Sequence, residues 1–199
     1  MSKWDAIEDE IWAKVVCLER NRRVAKAYAR APVLTVNDSA HGFDGHRIGL
    51  NGFANPARDK RVAHIKAGGV EAGVKVRMDG AGNLLVKRLA KGDVFVMKSR
   101  VGQDQAQRTA LEPRASSVLF DMAAFQSALL RTIKTGSSAQ ALQSRCFSFL
   151  AFGATAAELL NTPVWVIVIN LVALEMVLKV MPSKLCGMVH LCDVTQLHV

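Results

Sequence analysis

The stretch 162–182 constrains the fold more than any other segment, because 18 consecutive residues within it are mostly apolar. Asn170, Glu175 and Lys179 interrupt this run. A membrane-spanning helix needs about 20 apolar residues with few or no charges, so we expect no membrane insertion. The β-branched block Val164–Ile169 predicts a strand that is buried on both faces. Beyond Asn170, a suitable N-cap, apolar residues at helical spacing predict an amphipathic helix.

The rest of the chain consists mainly of short apolar or alternating segments separated by turn residues. These predict strands over residues 12–19, 24–29, 33–36, 47–53, 73–78, 84–89, 93–97, 118–120 and 146–152. Residues 73–97 are predicted to form a meander in which Lys75 and Arg77 point outward. No βαβ rhythm is present. Such a pattern, with few helices, predicts a mainly β chain folded as an antiparallel β-sandwich with helices at its ends.

Helix signals occur at three places. Asn55, as N-cap, and Pro56, at the first position, predict a basic helix that ends at glycines 68 and 69. A second helix starts near Met122 and ends at Gly136, and a third follows Asn170. The core of the helix cluster is predicted to contain Phe125, Leu129, Leu171 and Leu178. The stretches 98–111 and 137–144 lack periodicity and are predicted as loops.

The net charge of +9 is concentrated in one half of the chain, since residues 1–100 hold 19 Lys and Arg against 11 Asp and Glu. Such an excess suits an acidic partner, although a solvated basic face explains it equally well. The candidate partner-binding residues are Arg58, Arg61 and Lys66 on the basic helix. Aromatic residues are 6% of the chain, and no RNA-binding sheet with stacked aromatics is evident.

The cysteines and histidines give weak signals. Cys17 and Cys146 are predicted to be small core residues within strands. Four residues near the carboxyl end could form a zinc site, but their irregular spacing favours an exposed tail: Cys186, His190, Cys192 and His198. We therefore expect no metal and no cofactor.

Catalytic motifs are also absent from the sequence, since no GxSxG segment and no phosphate-binding loop occur. We expect a protein that is not an enzyme. The charged stretch 1–10 does not read as a secretory signal, which favours the cytoplasm or the nucleus.

Several ordered segments resemble the second Mad-homology (MH2) domain of the Smad family. The stretch Trp12–Tyr28, WAKVVCLERNRRVAKAY, is similar to the opening hairpin of that domain. Further similar segments are 47–53 (RIGLNGF), 93–99 (DVFVMKS), 118–125 (VLFDMAAF) and 162–166 (TPVWV). The residues that match the family motifs are Trp12, Asn21, Arg23, Gly49, Phe95, Phe120, Phe125, Thr162, Pro163 and Trp165.

This resemblance implies a β-sandwich of the SMAD/FHA type, capped by a three-helix bundle at one end and a loop–helix region at the other. It also implies a protein–protein interaction module, which in Smads forms trimers and binds receptors and transcriptional co-regulator proteins in TGF-beta-type signalling. The implied domain covers residues 12–182, with a lead-in over 1–11 and a flexible tail over 183–199.

The chain departs from receptor-regulated Smads in two places. It ends in TQLHV instead of the phosphorylated Ser-Ser-x-Ser tail. The loop 154–161, which the resemblance places at the phosphoserine pocket, runs from Ala154 past Glu158 without any Lys or Arg. Because a phosphate dianion requires cationic donors, we expect this pocket to be weak or absent. A divergent, stand-alone relative, such as the Expansion-type proteins, fits these departures best.

Three functional hypotheses follow. The first is an interaction scaffold without the phosphoserine switch, which binds other proteins or itself and is either a trimer or a monomer. The second is a transcriptional regulator that acts in nuclear complexes with Smad-type partners, without binding DNA directly. The third and weakest is a nucleic-acid-binding β-domain driven by the basic half of the chain.

Overall fold

The computed structural model describes residues 11–98, 107–137, 139–153 and 161–180. These residues form eleven strands: β1 Ala13–Glu19, β2 Arg22–Ala29, β3 Val33–Asn37, β4 Arg47–Gly49, β5 Val74–Met78, β6 Leu84–Arg88, β7 Val94–Lys98, β8 Gln107–Ala110, β9 Ser116–Phe120, β10 Phe147–Phe152 and β11 Val164–Asn170. They also form four α-helices: α1 Lys60–Gly68, α2 Met122–Thr135, α3 Gln140–Arg145 and α4 Leu171–Val180.

The strands form two sheets that pack into a sandwich. The six-stranded sheet has the order β2-β1-β11-β10-β7-β8, and the five-stranded sheet has the order β4-β3-β5-β6-β9. The prediction of a mainly β sandwich with helices is therefore confirmed. Pairing is antiparallel throughout these sheets except between β3 and β4, which are parallel.

Strand β11 lies at the centre of the six-stranded sheet, between β1 and β10, and all seven of its residues are buried. Burial of each large apolar side chain contributes about 1.5–3 kcal/mol, which makes this strand a principal source of stability. Asn170 ends the strand and caps α4, because its Oδ1 accepts a hydrogen bond of 3.0 Å from the amide of Ala173. The predicted strand, N-cap and helix are thus confirmed.

Helices lie at the two ends of β11. Helix α1 contacts β11 near its start, where Glu19 is paired with Val164. Helix α4 continues directly from the end of β11 and contacts α2 and α3, which also contact each other. The predicted end of α2 is also correct, since Gly136 adopts a left-handed conformation with φ of 63°.

Strand pairing differs from the predicted meander. Strands β5 and β6 form the expected hairpin, but β6 then pairs with β9, and β7 crosses to the other sheet, where it lies between β10 and β8. Alternation along a strand indicates which residues face the core, but it does not indicate the neighbouring strand.

Several predicted boundaries are wrong. The stretch 47–53 is a three-residue strand followed by a 3-10 turn, Leu50–Gly52, and the basic helix begins after Asp59 instead of Asn55. The predicted loops contain β8 and α3, whose polar sequences carry little apolar periodicity. Cys146 lies at the end of α3 and not within a strand.

Candidate interaction surfaces

A buried cluster of charges lies where β1 ends beside α1. The Glu19 carboxylate accepts hydrogen bonds from Lys66 Nζ at 2.8 Å, Arg58 Nε at 3.1 Å and Asn55 Nδ2 at 2.6 Å. Lys66 Nζ also donates to the carbonyl oxygen of Leu50 at 2.6 Å. Glu19 and Lys66 each expose only 2% of their side chains. The charges of the predicted basic helix are therefore partly neutralised inside the protein.

The protonation of this cluster reflects a competition between burial and pairing. Burial opposes ionisation of Glu19, but hydrogen bonds from Arg58, Lys66 and Asn55 outweigh it and hold the pKa of the carboxyl below its ordinary value. Burial lowers the pKa of the Lys66 ammonium, and the hydrogen bond and charge of Glu19 offset this only in part. The cluster is stable only as a unit, since a lone charge left in this site would be strongly unfavourable.

A second ion pair ties the turn between β1 and β2 to the same helix. Arg20, in the left-handed region with φ of 52°, pairs with the carboxylate of Asp59. Asp59 is also the N-cap of α1, because its Oδ1 accepts from the amide of Val62 at 2.9 Å. The hydrogen bond from Arg20 lowers the pKa of Asp59. We call the region defined by Glu19, Arg20, Arg58, Asp59 and Lys66 the ionic end.

The structure separates the three cations proposed to bind a partner. Lys66 is buried and Arg58 exposes 24% of its side chain, so these two candidates present little free basic surface, and their role in partner binding stays a prediction. Arg61 is exposed on α1. The other two proposed residues, Ala154 and Glu158, lie outside the residues that the structure describes.

Several family-motif residues fix the chain where strands begin or turn. Trp165 Nε1 donates to the carbonyl oxygen of Arg20 at 2.7 Å, and the carbonyl oxygen of Pro163 accepts from the Arg20 amide at 3.0 Å. Trp12 Nε1 donates to the carbonyl oxygen of Ala31 at 2.9 Å. Thr162 is fully buried, and its hydroxyl has no hydrogen-bond partner in the described part of the chain. These contacts indicate a structural role.

The remaining family-motif residues occupy turns, strand ends and the core. Asn21 is exposed in the turn between β1 and β2, and Arg23 is exposed opposite Leu18 at a bulge. Gly49 ends β4, and its amide donates to the carbonyl oxygen of Gly42 at 2.6 Å. The other three are apolar: Phe95 is partly buried, whereas Phe120 and Phe125 are buried, with ring centroids 5.3 Å apart.

The opposite end of the sandwich, formed by α2, α3 and α4, is called the helical end. Its interior contains buried apolar side chains from each helix: Met122, Phe125, Ala128, Leu129, Leu142, Ala173, Leu174 and Val177. The predictions for Phe125 and Leu129 are confirmed, and Leu171 is partly buried. Leu178 is 39% exposed, so its predicted place in the core is wrong.

The helical end also exposes large apolar side chains. Leu130 and Ile133 on α2 are 58% and 42% exposed, and Leu178 and Val180 on α4 are 39% and 47% exposed. The two helices contact each other. Large exposed apolar side chains on two contacting helices make this end a candidate protein-binding surface. Sequence reasoning missed Leu130, although its position beside Leu129, outside the apolar stripe of α2, was a usable signal.

Glu19 was also missed by sequence reasoning. It is the one acidic residue in the otherwise apolar or basic segment Ala13–Glu19, and an acid in a strand buried on both faces requires a cationic partner. That signal predicts a buried ion pair, but it does not identify Lys66, which lies 47 residues away in the sequence.

Metal ligands, thiols and membrane-spanning helices are other features of the described residues that could carry a function. These residues contain no group of three or more His, Cys, Asp or Glu that could hold a metal ion. The residues of the weakly indicated zinc site lie outside the described ranges. Cys17 and Cys146 are buried free thiols, and burial raises the pKa of each to about 12. None of the described helices is long and apolar enough to cross a bilayer.

Solved structures of known proteins are similar to this chain in fold. A chain in the crystal structure of STAT2 in complex with IRF9 has a TM-score of 0.63 and 15% identity, over 85% of this chain and 96% of that chain. The crystal structure of the interferon regulatory factor 9 IAD domain has a TM-score of 0.64 and 14% identity, over 89% of this chain and 91% of that chain. No curated protein matches the sequence.

The similarity to solved structures shows the fold alone, because the identities are so low. The family match is more specific, since the model of the MH2 domain matches residues 10–171. That range contains every described strand and the helices α1, α2 and α3. It also contains the residues that match the Smad-type motifs. On this basis, the chain belongs to the MH2 domain family.

Proposed function

We propose that this chain is an interaction scaffold that binds protein partners through its helical end, without catalysis and without a phosphoserine switch. The MH2 domain is a protein-interaction domain and not an enzyme family. The single observation that carries the proposal is the set of exposed apolar side chains on α2 and α4. The first partner to be tested is a second copy of the chain, because the resemblance to Smads implies trimers.

The proposed lack of a phosphoserine switch is supported by the composition of one segment, which the resemblance places at the phosphoserine pocket. The stretch 154–161 contains no Lys or Arg and one Glu. A phosphate dianion is held by charge-assisted hydrogen bonds from cationic side chains, which this segment does not supply. Assembly would therefore depend on apolar contacts and on protein concentration, not on phosphorylation.

A second version of the proposal places the chain in nuclear complexes with Smad-type partners, as a transcriptional co-regulator. It is supported by the family and by a structure of similar fold, that of STAT2 in complex with IRF9. Its test is co-purification of the tagged full chain with a Smad MH2 domain. Failure to recover that domain with the chain would reject this version.

Light scattering over a concentration series tests self-association directly. The paired substitution of Leu130→Glu and Ile133→Glu places two charges among the exposed apolar side chains of α2. We expect the wild-type chain to show a mass that rises with concentration, and this variant to remain a monomer.

The matched control is Ala124→Glu, an exposed residue of α2. At 100° per residue it lies on the opposite side of the helix from Ile133. This control should assemble like the wild type. A wild-type chain that stays monomeric at every concentration would reject self-association and would direct the search to other partners. Equal assembly of all three proteins would show that the helical end is not the interface.

A further inference from the structure

The outer face of the five-stranded sheet carries a row of cations. Side chains alternate across a strand, so the buried Val74 and Val76 of β5 face the core, and Lys75 and Arg77 face solvent. The register aligns five outward residues across the five strands, and we call them the basic row: Arg47, Thr35, Lys75, Lys87 and Ser116. With strands about 4.8 Å apart, the row spans about 19 Å.

The like charges in this row are unfavourable for the isolated protein. Lys75 lies directly opposite Lys87 in an antiparallel pair. Like charges in that position destabilise a sheet. None of the five strands contains an Asp or a Glu. Among the described residues, no carboxylate forms a salt bridge with Arg47, Lys75, Arg77 or Lys87.

The acidic residue nearest to β5 in the sequence is Asp79, which directly follows it and is already engaged. Its carboxylate accepts hydrogen bonds from the amides of Ala81 and Asn83, each at 2.9 Å, and from the Asn83 side chain at 3.0 Å. These hydrogen bonds, the one from the Asn83 side chain first, lower the pKa of Asp79. Asp79 thus serves the turn between β5 and β6. The charge of Arg77 adds to the lowering of the pKa of Asp79, and the Arg47 amide donates to the carboxylate of Asp44 at 2.7 Å. Lys75 and Lys87 form no salt bridge among the described residues, in contrast to the cations of the ionic end.

Apolar side chains lie in the next row of the same face. Arg77 is opposite both Val33 and Leu85, and Leu85 is opposite Val118. Val33 and Val118 are 36% and 54% exposed. Val118 also lines an open pocket of about 340 Å³ at the start of α2, whose wall includes Asn83 and Met122. The face therefore offers cations, exposed apolar groups and a cavity at its edge.

This mixture favours a polypeptide over a nucleic acid. The outward positions of the five strands include no aromatic residue on which a base could stack. A nucleic acid would present phosphates to the valines and the leucine, whereas an acidic polypeptide can alternate carboxylates with apolar side chains. We propose that the basic row, together with Arg77 and Val118, binds an acidic, partly apolar segment of a partner protein. This surface is distinct from the helical end.

Fluorescence anisotropy with the full chain tests the proposal. The probe is a fluorescein-labelled 12-residue peptide of alternating Glu and Ala, and a Gln–Ala peptide is the neutral reference. The paired substitution Lys75→Gln and Lys87→Gln should weaken binding of the acidic peptide about tenfold, because two facing cations are lost. The same pair should keep or raise the melting temperature, since the repulsion between the two lysines disappears.

The matched control is Lys26→Gln with Arg30→Gln, which removes two exposed cations from β2 and the residue after it, at the edge of the other sheet. It should change the affinity less than twofold. The Leu130→Glu and Ile133→Glu variant should also bind the peptide normally, which separates this proposal from the one for the helical end. No binding, equal losses in both glutamine variants, or tighter binding of a 12-nucleotide single-stranded DNA would each overturn it.

Discussion

The two ends of the sandwich differ in which side chains are exposed: the ionic end buries charged side chains, and the helical end exposes apolar ones. At the ionic end, Arg58 and Lys66 are drawn inward by Glu19, so charges that look available in the sequence are largely internal. At the helical end, Leu130 and Ile133 remain exposed. Residue type alone therefore misleads about which surface a partner can reach. The accessible binding surface is set by which side chains find partners within the fold.

The largest expected effect comes from removing the acid of the ionic end. Glu19→Ala leaves Lys66 as a buried cation without a carboxylate, and we expect a loss of about 3–5 kcal/mol in the free energy of unfolding. Urea unfolding measures this loss. The control is Glu71→Ala, which removes the exposed partner of Lys91 and should lower stability by about 1 kcal/mol at most. Similar small losses in both variants would contradict the structural role of the buried cluster.

At the helical end, the loss of stability on replacing a leucine should depend on whether that leucine is buried. Leu129→Ala removes a buried side chain that is 7% exposed, and we expect a loss of about 2–5 kcal/mol. Leu130→Ala removes a neighbouring side chain that is 58% exposed, and its effect on stability should be within about 0.5 kcal/mol. Urea unfolding of the two variants gives the comparison. Equal losses would show that Leu130 is buried in solution.

Acid should weaken the ionic end in particular. The folded-state pKa of Glu19 lies below its ordinary value of 4.5, so the unfolded chain binds more protons as the pH falls. The stabilisation is fully present above this ordinary value and is lost as the pH falls through the folded-state pKa. Melting temperatures between pH 7 and pH 3 should therefore fall less steeply in Glu19→Gln than in the wild type. Identical slopes would show that Glu19 gains nothing from its partners.

The smallest effect is a change in thiol reactivity. Cys17 lies within β1 near Lys66, whereas Cys146 lies at the end of α3. Both thiols are buried, and burial raises the pKa of each. Neither should react with iodoacetamide at pH 8 in the folded wild type, as peptide mapping can show. In Glu19→Ala, local opening should make Cys17 reactive before Cys146. Simultaneous labelling of both would indicate global unfolding instead of opening at one end.

Local sequence patterns predicted the positions of the strands better than they predicted which strands pair. The alternation in β5 correctly places Val74 and Val76 inward and Lys75 outward, because the period of two follows from the pleat of a strand. The pairing of β6 with β9 was not predictable in the same way. It joins residues about 30 positions apart, and many strands could supply a similar apolar edge.

The start of α1 shows how two valid signals compete. Asn55 and Pro56 resemble a helix start, and Asn55 Oδ1 accepts a hydrogen bond from the Ala57 amide at 3.0 Å, but this contact closes only a turn. Asn55 Nδ2 binds Glu19, and the helix begins after Asp59, which caps it. Asn55 and Asp59 are both residue types that are favourable at an N-cap. The local sequence alone does not select between them.

The candidate surfaces also have some features that the local sequence predicts and others that only the tertiary structure sets. A cationic outer face on β5 was visible in the sequence, since Lys75 and Arg77 alternate with buried residues. Its alignment with Lys87 and Arg47 was not, because that depends on register across three other pairings. The exposed apolar residues of the helical end depend likewise on how three helices pack.

The amino-acid sequence by itself determined the strand-rich fold, the central buried strand, its capped helix and the resemblance to a family. Each of these depends on residues that are close in the chain, through periodicity, turn chemistry and caps. Only the tertiary structure decided that Lys66 is internal, that Leu178 is partly exposed and that Lys75 faces Lys87. Burial and pairing depend on contacts between segments that are distant in the chain. Their contribution to stability therefore depends on how the sheets form.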